Sequence, residues 1–119
     1  AYDSVNISTV GFSGRGYTRA TEYIKPDLVA PGVNILTTTV GGSIISFTGT
    51  SAAAPFVAGS VALLMEWGIV DRNDIFLFGE RLKAFLCTGA IRDNSREYPN
   101  REWGYGRLCL KNTLDLLKK

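Results

Sequence analysis

Ser51 stands in the run TGTSAAAPFV (residues 48–57), between a glycine-threonine step and a stretch of small, apolar residues. A serine hydroxyl becomes a nucleophile when a neighbouring base takes its proton, and histidine is the usual base. The chain contains no histidine. Two readings of Ser51 therefore compete: a nucleophile whose base comes from other polypeptide, or a helix N-cap, the ordinary role of serine before an apolar run.

Other residues with chemical potential are less specific. The loop SGRGYTR (Ser13 to Arg19) has Arg19 where a dinucleotide fingerprint needs its third glycine, and no P-loop Gly-Lys-Ser/Thr occurs, so it reads as a turn. Gly49 and Ser51 match the start of a G-x-S-x-G nucleophile elbow, but Ala53 replaces the last glycine and no histidine follows, so that chemistry fails. Cys87 and Cys109 lack a CxxC or histidine neighbour, which disfavours zinc; their apolar settings suit buried free thiols, and spacing neither asserts nor excludes a disulfide. No metal site or cofactor is expected in this segment, and nothing in it bears on calcium. Trp67, Met65 and Phe85 fall in apolar sets at helical spacing and read as core.

The elements that must position Ser51 are legible around it. At 119 residues the chain is one domain or part of one, with 45% apolar and 20% charged residues, a globular composition. Its 13 basic and 11 acidic residues are interspersed, so no footprint for nucleic acid exists. The apolar stretch Ala52 to Met65, broken by Pro55, Gly59 and Ser60, reads as too short to span a bilayer, and no membrane partner is expected. The first ten residues lack the pattern of a signal peptide.

Leu28-Val29-Ala30 predicts a buried strand ending in a Pro-Gly turn. Asn34–Val40 and Ser43–Thr48 predict a hairpin with a two-residue Gly41-Gly42 turn, its second strand running into Gly49-Thr50-Ser51. Ala52 to Trp67 lacks a polar face and predicts a helix enclosed on all sides, starting at Ser51 or at Pro55. Leu82, Phe85 and Leu86 predict an amphipathic helix over 79–87 stopped by Gly89, and Leu110, Leu114 and Leu117 predict a last helix.

Three ordered blocks carry a family resemblance. GTSAAAPFVAG (Gly49 to Gly59) resembles the serine motif of the subtilisin-like proteases, GFSGRG (Gly11 to Gly16) their F-S-x-x-G turn, and KPDLVAPGVNI (Lys25 to Ile35) their K-P-D-l-x-A-P-G block. With the hairpin and the late GYG, the resemblance reaches about Leu110. It implies an α/β fold: the C-terminal half of a subtilisin-like three-layer domain, with a mostly parallel sheet and helices on both faces. Residues 1–119 would then be the C-terminal portion of a peptidase domain whose aspartate, histidine and oxyanion-hole asparagine precede residue 1, since the family's chain order is Asp, His, Ser.

On that resemblance Ser51 is the nucleophile and its backbone N–H an oxyanion donor, with Gly49, Thr50 and Pro55 as motif support; Gly49 would permit a sharp strand-to-helix turn. Ala52 and Phe56 depart from the family's methionine and histidine; the first leaves the leaving-group side roomier. The expected partners are a peptide or protein substrate and the N-terminal half of the same domain. The fragment alone is expected to be inactive, and its open sheet edge predicts self-association. LLMEWGIVDRND and YPNREWGYGRLCL are similar to germination-type subtilases of spore-forming anaerobes, some of which have lost triad residues. The resemblance implies a protein that is secreted or associated with the spore or cell envelope. The competing function is a non-catalytic pseudoprotease or regulatory binding module that keeps the fold.

Overall fold

Leu28, Val29 and Ala30 form the spine that the rest of the chain is built on, as the computed structural model of all 119 residues shows. Val29 and Ala30 are buried. The Val29 N–H donates to the Gly106 carbonyl (3.0 Å), and the Val29 carbonyl accepts from the Leu108 N–H (2.8 Å). On the opposite edge, the Tyr2 N–H donates to the Ala30 carbonyl (3.1 Å) and the Gly32 N–H to that of Tyr2 (3.0 Å). Tyr2 pairs in parallel with Pro31, Val29 in parallel with Arg107, and Ile91 in antiparallel with Arg107. Side chains alternate along this spine as a strand requires: Leu28 and Ala30 face apolar clusters shared with the helices, while Val29 packs with Tyr2 and Trp103.

The mostly parallel sheet expected from sequence is represented within these residues only by the two parallel bridges, Tyr2–Pro31 and Val29–Arg107. The regular ladders are small and antiparallel: β1 (Tyr2–Asp3) with β2 (Ser8–Thr9), β3 (Gly16–Tyr17) with β4 (Ile24–Lys25), and β5 (Ile35–Thr38) with β6 (Ile44–Phe47). Antiparallel pairs close through short local loops, whereas parallel strands need partners remote in sequence. The β5–β6 hairpin forms where expected, with Ile35 opposite Phe47 and Thr38 opposite Ile44. Its turn has three residues rather than two: Thr39 bonds to Ser43 (2.9 Å), enclosing Val40, Gly41 and Gly42, and both glycines take positive φ (89° and 80°).

Helix α1 (Thr50–Met65) begins at Thr50, before either expected start, so Pro55 lies inside it. A proline there removes one backbone donor, the one that would meet the Ser51 carbonyl four residues back. The helix then widens into a π turn, Glu66–Val70, in which the Asp71 N–H reaches the Glu66 carbonyl (2.9 Å). The combined segment, Thr50–Val70, has 21 residues and is long and apolar enough, by length and composition, to cross a membrane. The apolar stretch expected from sequence ends at Met65, and the π turn carries the helix five residues further to Val70. Nor is α1 enclosed on all sides. Ala52, Ala53, Ser60 and Leu64 are buried, but Pro55, Phe56 and Leu63 are exposed, because these residues supply packing partners for one side of the helix only.

Helices α2 (Gly79–Gly89) and α3 (Leu110–Leu117) complete the core. Leu82 and Leu86 are buried with Leu64 and Leu77, and Leu110, Leu114 and Leu117 pack against this cluster. Glu80 and Arg81 stay exposed, as the amphipathic pattern predicts. Cys87 and Cys109 are free thiols, the first buried.

Candidate active site

Ser51 is the second residue of α1 and is exposed. The capping position belongs to Gly49, which forms no side-chain cap bond. Ser51 therefore does not act as the N-cap that a serine before an apolar run most often is. The Ala52 N–H is taken by the Gly49 carbonyl (3.1 Å). The Ser51 N–H, within the first turn, has no intrahelical acceptor and points with the positive end of the helix dipole. A hydroxyl beside such a donor is a chemically coherent pair: one attacks a carbonyl carbon and the other receives the charge that develops on its oxygen.

Ser51 opens onto a groove of about 570 Å³ between the hairpin and the start of α1. Leu36, Ile45 and Phe47 line it from the hairpin, and Ala52, Pro55 and Phe56 from the helix. Across the same first turn, Thr50, Ala53 and Ala54 face a second cavity of about 580 Å³. Ser13, Gly14 and Arg15 of the glycine loop line that second cavity, as do Lys25, Pro26, Leu28 and Ala30. The three sequence blocks, remote along the chain, converge around the first turn of the helix that carries Ser51. The glycine loop is an ordinary turn leading into β3, held by Arg15, whose guanidinium pairs with Glu102 (2.5 Å) and bonds to Thr9 (3.2 Å).

Gly49 does not play the expected part. Its backbone is extended (φ 167°, ψ 165°), a conformation open to any residue, and a Cβ there would meet the Phe47 ring at an ordinary 3.4 Å. The glycine that the turn requires is Gly32. A Cβ on Gly32 would lie 2.8 Å from the Gly49 carbonyl oxygen and 2.7 Å from the Ala1 Cβ. Its own carbonyl accepts the Gly49 N–H (2.8 Å). In sequence Pro31-Gly32 looks like the end of a strand, and the Pro-Gly step is the one local signal of this contact. Asn34, which looks like a strand residue, instead holds φ at 53° and donates its N–H to Thr48 Oγ1 (2.9 Å).

No charged side chain lines the groove onto which Ser51 opens. Burial would raise the Asp27 carboxyl, but hydrogen bonds from Lys25 (2.5 Å) and the charge of Lys83 (3.3 Å) outweigh it and hold Asp27 below the usual carboxylate range. Burial pushes the Cys87 thiol up. No group of three or more Cys, Asp or Glu side chains is placed to hold a metal ion.

The subtilase family model matches residues 1–106 of this chain. Among solved structures, the Clostridium perfringens CspB protease superposes on the whole chain with a TM-score of 0.95 and 49% sequence identity, the chain covering 25% of that structure. The PII-type proteinase of Lacticaseibacillus paracasei is 36% identical over 110 residues, which is 80% of this chain and 6% of that protein. The minor extracellular protease Vpr of Bacillus subtilis is 33% identical over 116 residues, 87% of this chain and 13% of that protein. The chain thus spans a quarter or less of the length of these relatives.

Proposed function

The chain belongs to the subtilase family, and from that premise we propose that it is the C-terminal portion of the catalytic domain of a serine endopeptidase, with Ser51 as nucleophile. The observation that carries the reading is the exposed Ser51, second in α1 and lining a groove, with the cap position left to Gly49.

Ser51 Oγ attacks the scissile carbonyl carbon while a histidine from the preceding half of the domain takes its proton and an aspartate orients that histidine. The Ser51 N–H holds the oxyanion of the tetrahedral intermediate, together with a donor from the preceding half. Collapse breaks the C–N bond, the amine leaves with the proton, and an ester on Ser51 remains for water to hydrolyse. The small side chain of Ala52 leaves room for a substrate backbone beside Ser51, and Pro55 withdraws the donor that would otherwise occupy the Ser51 carbonyl. The 49% identity with the CspB protease over the whole chain supports placing the parent among the germination-type subtilases suggested by its C-terminal blocks.

The test is labelling of the full-length parent with a fluorophosphonate probe beside Ser51→Ala. Label is expected on Ser51 and absent from the alanine protein. Label that persists in Ser51→Ala removes Ser51 from the mechanism, and a folded parent that takes no label is the non-catalytic binding module instead.

A further inference from the structure

Two short tethers fix the chain immediately ahead of Ser51, and both run to the segment Pro31–Asn34. The Gly49 N–H donates to the Gly32 carbonyl (2.8 Å), and the Asn34 N–H donates to Thr48 Oγ1 (2.9 Å). Gly32 is buried and wedged: a Cβ on it would meet the Gly49 carbonyl oxygen at 2.8 Å, the Ala1 Cβ at 2.7 Å and the Ala53 Cβ at 3.3 Å. The Gly49 carbonyl is also the acceptor that receives the Ala52 N–H and so sets the first turn of α1. One buried peptide unit therefore touches the turn from both of its ends, through its carbonyl and through its bare Cα.

We infer that Gly32 is a positioning residue for Ser51: by admitting the Gly49 carbonyl against its Cα, it sets where the first turn of α1 begins and hence where the Ser51 hydroxyl and N–H point. Thr48, through its bond to Asn34, is the second tether of the same clamp. The inference rests on Ser51 being the nucleophile. A shift of the Gly49 carbonyl moves the Ala52 hydrogen bond with it and rotates the turn that carries Ser51, and displacements of this order are costly where reacting atoms must meet.

The experiment uses the full-length parent, following the rate of fluorophosphonate labelling, kcat and KM on a peptide substrate, and thermal unfolding. Gly32→Ala is expected to slow labelling and lower kcat by about a hundredfold, with KM little changed, the pattern of an interaction lost from the transition state alone. Ala1→Gly combined with Gly32→Ala removes the clash against Ala1 but keeps the one against the Gly49 carbonyl. It should regain thermal stability while labelling stays slow. Labelling that recovers together with stability reduces Gly32 to a packing residue and overturns the inference, as does wild-type labelling in a folded Gly32→Ala protein.

Should Gly32→Ala not fold, the second tether decides. Thr48→Val should slow labelling with KM held, and Thr48→Ser, which keeps the hydroxyl, should restore it; equal rates in all three proteins count against the clamp. A wild-type parent that takes no label at Ser51 defeats the assignment of Ser51 itself, a failure distinct from any of these.

Discussion

Gly89, the last residue of α2, lies directly against Thr113 of α3: a Cβ on Gly89 would sit 2.5 Å from the Thr113 hydroxyl oxygen and 2.8 Å from its backbone nitrogen. Thr113 is fully buried, and its hydroxyl donates to the Cys109 carbonyl (3.0 Å). The glycine that ends α2 is thus also the seat of α3. Gly89→Ala should destabilise the full-length protein by about 1–3 kcal/mol, the usual cost of overpacking a core. Urea unfolding measures it, and an unchanged midpoint would show that α3 can slide away freely.

Asp27 links the strand segment at Lys25 to α2 at Lys83. Its folded-state pKa is depressed, so the stability it contributes is present above the unfolded carboxylate value of about 3.9 and is lost as pH falls through the folded value. Asp27→Asn should therefore flatten the acid side of a stability-against-pH curve below about pH 4. The side chains of Asp27, Lys25 and Lys83 are a third to nearly half exposed (33%, 44% and 44%), so added salt should shrink the difference. An acid limb identical in the two proteins would leave the pairs without a role in stability.

Burial raises the Cys87 thiol, which keeps it in the unreactive protonated form near neutral pH. Native protein treated with iodoacetamide at pH 7.5 should remain unmodified at Cys87 and become modified there once denatured. Peptide mass spectrometry reads both states. Fast native alkylation at Cys87 would mean that α2 opens readily.

The 119-residue chain on its own leaves Leu36 (75%), Ile44 (70%) and Leu63 (53%) in solvent, together with most of one side of α1. Exposed apolar surface of this extent drives association. Light scattering should find self-associated species, and a monodisperse monomer would contradict the expectation.

The isolated chain should also lack peptidase activity. Losing the histidine partner of a subtilase serine costs about a millionfold in kcat. Adding the preceding half of the domain in trans should restore turnover if the two halves assemble, and turnover by the isolated chain would require a base within these residues.

Much of this architecture was legible in the sequence because local chemistry determined it. The β-branched runs around Gly41-Gly42 specified a hairpin, and the spacing of Leu82, Phe85 and Leu86 specified α2 and its buried face. The Gly-Thr-Ser block pointed to Ser51 as the candidate nucleophile. What escaped was set by contacts between remote residues. Nothing near Gly32 announces that the Gly49 carbonyl will rest against it, and the third turn residue, Val40, looks like a strand residue until the register is known. The coverage of α1 was misjudged for a related reason: its uniform apolarity reports that it suits a buried environment, not which polypeptide supplies that environment.

The hairpin tip offers a practical foothold. Val40 is 99% exposed, and the glycines that follow it take conformations few other residues accept. Tips of this kind accept foreign sequence because little else leans on them. An epitope spliced between Val40 and Gly41 would stand clear of the Ile35–Phe47 pairing, giving a handle for capture or imaging at the far end of the ribbon whose other end leads into the serine.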